Sequence, residues 1–125
     1  LEAERKRIKV IEDEKIFKEI KSKFFGIQFS DGTINIKSLD SVKEFMQEGD
    51  MMHHCVFTNE YYLKPDSLIL SAIIKDKHIE TVEVNLKTLD VVQSRGVCNS
   101  STEYHDRIVK LVKKNINLIR QKMTA

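Results

Sequence analysis

The pattern of apolar and polar residues predicts a helix at each end of the chain and β-strands between them. Near the start, apolar residues recur every three or four positions, which is the spacing of one helix face, so we expect a helix from about Asp13. Those residues are Ile16, Phe17, Ile20 and Phe24. Residues 1–12 are mostly charged, and we expect them to be a helical extension from an upstream segment. The predicted core of the domain then covers about 24–122.

Alternation of apolar and polar residues predicts a β-hairpin in the range 24–37. Ile27 and Phe29 alternate with polar residues, and the alternation resumes after Asp31-Gly32. An Asp-Gly pair between two alternating runs favours a tight turn because Gly accepts a positive φ.

A short helix is predicted after the hairpin, with Asp40 or Ser41 as its N-cap. Glu44 lies three residues after Ser41, which is the spacing of a capping box, and Gly49 is predicted to end the helix. The stretch 51–62 is compatible with a second short helix or with an irregular loop.

Three further strands are predicted in the range 67–95. The run 67–75 is almost wholly apolar, as in a buried central strand, and 78–86 alternates after a tight turn at Asp76-Lys77. A second turn leads to the strand 90–95, which completes a three-stranded antiparallel meander. The predicted fold class is therefore α+β, with the N-terminal hairpin and the meander packed against flanking helices.

The last predicted helix carries an apolar stripe and many basic residues. Ser100 and Glu103 have the spacing of a capping box, and the helix is predicted to run to about Lys122. The stripe consists of Ile108, Leu111, Val112, Ile116 and Ile119. The basic side chains largely off that stripe are Lys110, Lys113, Lys114, Arg120 and Lys122. A solvated lysine face is the commoner reason for such a pattern, and contact with DNA phosphate or an acidic partner is the alternative.

Composition narrows the class of protein. A chain of 125 residues with 41% hydrophobic and 32% charged residues is expected to be a single soluble globular domain. The net charge of +2 is too small to argue by itself for a nucleic-acid partner, and no apolar run approaches the ~20 residues of a membrane span. Two cysteines are too few for a disulfide framework, so we expect reduced thiols in a cytoplasmic protein.

The cluster His53-His54-Cys55 is the most distinctive feature for chemistry. A Cys beside a His is compatible with an activated thiolate, but a free Cys is more often a small buried hydrophobe. His54 and Cys55 together with Cys98 and His105 are zinc-ligand types, although their spacing is not that of a zinc finger. We therefore expect no cofactor, with zinc as the less favoured alternative.

A second candidate set lies on the meander. If the turn after residue 86 joins antiparallel strands, then Thr81, Glu83, Gln93 and Arg95 share one face of the sheet. This face is compatible with a solvated surface carrying a Glu–Arg ion pair, or with the polar floor of a pocket in which Arg95 binds an anion. Asn99 follows the strand and either lines the same site or makes a turn.

Several motifs taken in order resemble those of the PcfJ-like proteins. They are Glu48-Gly49, His54-Cys55-Val56, Tyr61-Tyr62, Ser67-Leu68-Ile69-Leu70, Glu80-Thr81-Val82-Glu83-Val84 and Gln93-Ser94-Arg95-Gly96 with Asn99. The resemblance covers about 41–119, and it departs at Phe57, where many relatives have Gly. It implies a setting in conjugation or mobile-element maintenance rather than a reaction. It also implies that one site contains His54, Cys55, Glu83, Gln93, Arg95 and Asn99.

Two functions remain open from the sequence. In the first, the His54-Cys55 segment lies over the sheet face and forms a small binding or catalytic pocket for an unknown small molecule. His54, Cys55 and Glu83 are then the catalytic candidates, and Thr81, Gln93, Arg95 and Asn99 are the binding candidates. In the second, the domain is a non-catalytic accessory module of conjugation that binds DNA or a protein partner, with no membrane contact.

Overall fold

The fold was derived from a computed structural model, which describes residues 1–124. The helices are α1 Glu2–Lys21, α2 Val42–Met52, α3 His105–Lys114 and α4 Ile116–Met123. The strands are β1 Gln28–Ser30, β2 Asn35–Ser38, β3 Ser67–Ile74, β4 Lys77–Asn85 and β5 Val91–Arg95. Single 3₁₀ turns cover Ser22–Phe24, Tyr61–Leu63 and Val97–Asn99. The predicted α+β class is confirmed.

The predicted hairpin and meander form one antiparallel sheet with the strands in chain order. β1 and β2 are the hairpin, and β3, β4 and β5 are the meander. The two units join because β2 pairs with β3, with Ile36 opposite Ala72. That pairing was not anticipated from the sequence.

The two faces of the sheet are covered by different helices. We call the side that carries Ser71, Thr81 and Glu83 the front face and the side that carries Leu70 and Val82 the back face. The back face packs against apolar residues of α3 and α4, and the front face packs against residues of α1 and α2. The front-face cluster consists of Phe17, Leu39, Val42, Phe45, Val56, Tyr62 and Ile69. α1 and α2 leave part of the front face uncovered, and a cleft opens there.

Ser41 is confirmed as the N-cap of α2, and the returning backbone bond of the predicted capping box goes to Asp40 and not to Ser41. The Ser41 hydroxyl accepts a hydrogen bond from the Glu44 backbone N–H at 3.1 Å, and the Glu44 carboxylate accepts one from the Asp40 backbone N–H at 3.0 Å. Gly49 does not end the helix, because the turn beyond it buries Met52 and the chain leaves the helix at His53 with a φ of 52°. The missing side chain at Gly49 instead lets the His54 carbonyl approach, since a Cβ there would lie 3.3 Å from that oxygen.

The two terminal helices differ from the prediction in their bounds. α1 is continuous from Glu2, so the helix expected from about Asp13 and the helical stretch expected over 1–12 are one helix. The capping box at Ser100 and Glu103 does not form, because the Ser100 hydroxyl donates to the Val97 carbonyl and α3 begins at His105. The long predicted helix is also divided at residue 115, where α3 ends and α4 follows.

The turn between β3 and β4 lies one residue earlier than predicted. Lys75 and Asp76 both have positive φ, at 48° and 65°, as a two-residue type I′ hairpin turn requires. The helices within residues 1–124 include none with both the length and the apolarity to cross a membrane.

Candidate functional site

A cleft of about 190 Å³ opens on the front face, between the sheet and the segment that follows α2. All seven side chains that the sequence singled out line it. They are His54, Cys55, Thr81, Glu83, Gln93, Arg95 and Asn99. The structure therefore brings the two candidate sets of the sequence into one cavity, with the sheet as its floor and the His54-Cys55 segment as its wall.

The floor follows from the register of β4 and β5. Thr81 pairs with Arg95 and Glu83 pairs with Gln93, so the four side chains stand side by side on the front face. The Gln93 amide donates to the Glu83 carboxylate at 2.9 Å. Within residues 1–124 Arg95 forms no ion pair, and it is exposed at the cleft. The expected alternative of a Glu83–Arg95 ion pair on a solvated face is therefore wrong.

The wall of the cleft is set by the end of α2. His53 is exposed and takes the left-handed conformation that ends the helix, and the next residue, His54, is half-buried against the sheet. His54 Nε2 lies 2.8 Å from the Thr81 hydroxyl oxygen, and the Val56 backbone N–H donates to His54 Nδ1 at 3.5 Å. Burial lowers the pKa of His54, and the negative charge of Glu48 opposes that shift only in part. A neutral imidazole therefore faces the cleft at neutral pH.

Behind this histidine lies a fully buried carboxylate, that of Glu48 on α2. It accepts hydrogen bonds from the Thr81 hydroxyl at 2.5 Å and the Ser71 hydroxyl at 2.8 Å. His78 Nδ1 lies 2.6 Å from its other oxygen. His54, Thr81, Glu48 and His78 thus form one hydrogen-bonded chain from the cleft into the protein.

A β-bulge places His78 in this chain. Ala72 pairs with Glu80 and Ile73 pairs with His78, so Ile79 is an extra residue in β4. Residues two apart in a regular strand share a face, but the bulge turns His78 to the front and Glu80 to the back.

Glu80 is the second fully buried carboxylate, and it holds the segment that carries Asn99. It accepts from the hydroxyls of Ser94 at 2.6 Å and Thr102 at 2.7 Å, and from the Thr102 backbone N–H at 2.9 Å. His105 Nδ1 lies 2.9 Å from it. Burial alone would raise the pKa of Glu80, but these hydrogen bonds outweigh it and hold the pKa below its ordinary value. Residues 96–104 are thereby fastened to the back face while Asn99 reaches the cleft.

A buried lysine at the end of α1 helps to fix Glu83 in the floor of the cleft through Ser67. The Lys21 ammonium donates to the Ser67 carbonyl, and the Ser67 hydroxyl donates to the Glu83 carboxylate at 2.6 Å. Burial lowers the pKa of Lys21 to about 8, against the opposing charges of Asp66 and Glu83. Glu83 is therefore fixed from two sides, by Ser67 and by Gln93, before any ligand arrives.

Comparison with known proteins places the chain in a family. The family model described as PcfJ-like protein matches residues 2–109. The chain belongs to the PcfJ-like protein family. The resemblance expected from the sequence motifs is confirmed, and it extends further towards the start of the chain than those motifs indicated. No curated protein and no solved structure matched this PcfJ-like chain.

Sequence reasoning named Glu48 and Glu80 only as members of the family motifs, and it assigned no site role to them or to His78 in this PcfJ-like domain. Two of them carried a signal in the pattern. Glu48 falls among the buried positions of α2, between Phe45 and Met52, and Glu80 falls on the apolar side of the alternation in β4. A charged residue at a core position requires partners, and this requirement was the available clue.

The cysteines do not behave as buried hydrophobes. Cys55 and Cys98 are both exposed and unpaired, so that expectation is wrong for both. The four residues considered as zinc ligands do not form one site. His54 contacts Thr81 on the front face of the sheet, and His105 contacts Glu80 on the back face. Across residues 1–124, no three His, Cys, Asp or Glu side chains come together as a metal site.

Proposed function

We propose that the cleft binds a small polar molecule through an anionic group and that His54 exchanges a proton with it. The observation that carries this proposal is the convergence of seven polar side chains on one cavity in which Arg95 has no acidic partner. An unpaired guanidinium beside a neutral imidazole is a combination suited to a ligand with a carboxylate or phosphate group.

Each side chain has a role in the proposed complex. Arg95 binds the anionic group, and the amides of Gln93 and Asn99 orient the rest of the molecule with Thr81. Glu83 still has lone pairs free after its bonds to Ser67 and Gln93, so it accepts from a donor group of the ligand or takes a proton from it.

His54 and Cys55 act from the wall of the cleft. Because His54 Nε2 is committed to Thr81, the proton is exchanged at Nδ1, whose hydrogen bond from the Val56 N–H is long. Cys55 is the exposed thiol placed to meet a bound molecule.

Family membership suggests the setting of this activity. We propose a cytoplasmic protein borne on a mobile element, with a role in conjugation or in maintenance of the element. The small-molecule pocket is then the functional part of the domain.

Inorganic phosphate and acetate are suitable probes for the anion site. Either anion, titrated into ¹⁵N-labelled protein, is expected to shift the amide signals of β4, β5 and residues 54–56 with millimolar affinity. Arg95→Gln should abolish these shifts, and Lys110→Gln, at an exposed lysine on α3, should leave them unchanged. Shifts that survive Arg95→Gln, or that are confined to α3 and α4, would contradict the proposal.

The basic face of α3 and α4 supports a second candidate, a module that binds DNA or an acidic protein. Five basic side chains on it are exposed, namely Lys110, Lys113, Lys114, Arg120 and Lys122. DNA binding through phosphates would weaken steeply as salt rises. Binding measured across a salt series tests this candidate, and absence of binding at low salt removes it.

A further inference from the structure

We propose that Glu48 is the positioning residue of the cleft: through Thr81 it fixes the tautomer of His54, and through His78 it sets how readily His54 takes up a proton. This inference rests on the proposed role of His54 as the proton-exchanging group. It concerns a carboxylate that does not line the cleft at all.

The tautomer of His54 follows from counting protons along the chain. The Thr81 hydroxyl has one proton, and an ionised carboxylate can only accept. The Thr81 hydroxyl uses that proton to donate a hydrogen bond to Glu48 at 2.5 Å. The Thr81 oxygen can therefore only accept a hydrogen bond from His54. His54 Nε2, at 2.8 Å from this oxygen, must therefore carry the hydrogen, which leaves Nδ1 as the basic nitrogen.

The same chain stabilises His54 after it has taken a proton. When a ligand group gives its proton to Nδ1, the ligand keeps the bonding electron pair and the imidazole becomes a cation. In this step Thr81 keeps its proton, Glu48 stays ionised, and both keep their hydrogen-bond partners. The negative charge of Glu48 lies two hydrogen bonds from the new cation, in an interior where charges interact more strongly than in water.

His78 connects this carboxylate to solvent. Its Nδ1 lies 2.6 Å from Glu48, and 21% of its side chain is exposed. A protonated His78 offsets part of the charge of Glu48 and so weakens the support for a cationic His54. Two histidines therefore share one carboxylate, one facing the cleft and the other facing water.

The other ionisable groups that bear on this hydrogen-bonded chain line the cleft or lie at the start of α2. Glu83 and Arg95 face His54 from the sheet, and Cys55 follows it in the wall. From α1, the Glu14 carboxylate accepts from the Val42 N–H at the start of α2, six residues before Glu48. The substitutions below leave all four groups in place.

Histidine side-chain NMR on ¹⁵N-labelled protein tests the inference without any ligand. In the native protein His54 is expected to be the Nε2–H tautomer. In Glu48→Gln, the amide can donate to Thr81 and reverse the chain, so we expect a shift towards the Nδ1–H tautomer and a fall in the pKa of His54 of about one unit. His78→Gln is expected to raise the pKa of His54, and the exposed neighbour change His53→Gln is expected to leave it unchanged.

A second pair of variants covers the case in which Glu48→Gln does not fold. Thr81→Val removes the connecting hydroxyl and should release the tautomer of His54, whereas Thr81→Ser keeps the hydroxyl and should restore the native tautomer. An unchanged tautomer and pKa of His54 in Thr81→Val would overturn the inference. If the tautomer is unchanged but phosphate still binds, the inference about Glu48 fails and the proposed anion site stands. If the tautomer of His54 depends on Thr81 but the protein binds no anion, the inference stands and the proposed function fails.

Discussion

Glu48 on the front face and Glu80 on the back face are bound by the same set of groups. Each carboxylate is fully buried, and each accepts from two hydroxyls and lies within hydrogen-bond distance of one histidine Nδ1. For Glu48 these are Ser71, Thr81 and His78, and for Glu80 they are Ser94, Thr102 and His105. Burial of such a group is tolerable in both places because every buried side-chain polar atom within residues 1–124 has a partner.

The difference lies in one further bond to Glu80 and in what the partners of Glu48 contact. Glu80 also accepts from a backbone N–H, that of Thr102, so its bonds hold the chain in place. Glu48 accepts from a hydroxyl that is itself bonded to His54 at the cleft. A buried carboxylate with two hydroxyl donors and one histidine thus stabilises a segment on the back face and is connected to the candidate site on the front face. Those three partners alone do not distinguish the two roles.

Removal of the Glu80 side chain is expected to have the largest effect on stability. Glu80→Ala leaves Ser94, Thr102 and His105 without their acceptor, and we expect the free energy of unfolding to fall by about 3 kcal/mol. Urea denaturation measures this loss. The exposed Glu103→Ala should change it by less than about 0.5 kcal/mol. Equal effects of the two changes would mean that Glu80 does not anchor residues 96–104.

Lys21, on the front-face helix α1, should make the stability of the protein depend on pH in the alkaline range. Its pKa is about 8 in the folded protein against 10.5 for the free side chain, so the unfolded chain binds more protons between these values. Stability should therefore rise with pH from about 8 to 10.5, by up to about 3 kcal/mol relative to Lys21→Met. Lys18→Met, at an exposed lysine of the same helix, should retain the rise. A curve of Lys21→Met that runs parallel to that of the native protein would contradict the burial of an ammonium group there.

The change in the free energy of unfolding at acid pH should include a contribution from Glu80. Its pKa is lowered on folding, so its contribution to stability is complete above about pH 4.5 and is lost as the pH falls through the folded value. Glu80→Gln should flatten the decline in the free energy of unfolding over this range. If the slope below pH 4.5 is the same in both proteins, the hydrogen bonds to Glu80 do not favour its ionised form.

The smallest expected effect is that of His54 near neutral pH. Its pKa is lowered by burial, so the unfolded chain binds more protons just below pH 6.5, and stability should fall as the pH drops through that range. His54→Gln should remove this slope, and His53→Gln should not. Thermal unfolding at closely spaced pH values is the suitable measurement, and a slope that depends on His53 instead would contradict the half-buried position of His54.

The floor of the cleft could be predicted from sequence, whereas the chain behind it could not. Alternation along β4 and a short turn to β5 predict that Glu83 and Gln93 share a face. The structure reaches this pairing through a second irregularity, because Val84 pairs with Val91 and Glu83 with Gln93, which leaves Val92 as an extra residue in β5. The position of His78 depends on the bulge at Ile79, and nothing in the alternation marks an extra residue. The partners of Glu48 come from strands more than 20 residues further along the chain, so its burial could be suspected but its hydrogen bonds could not be assigned.

The bulge has a consequence for the fidelity of folding. Because of it, β4 contributes Thr81 and His78 to one buried cluster and Glu80 to the other, from opposite sides of the same strand. A slip of β4 by one position would turn Glu80 to the front and Thr81 to the back. Glu48 would then keep only its bond from Ser71 on β3, and the bonds of Glu80 would be lost at the same time. A misaligned sheet would thus lose hydrogen bonds at two buried carboxylates, Glu48 and Glu80, and each loss would raise its free energy. A strand that is apolar on one side alone would lack this protection against trapped, mispaired states.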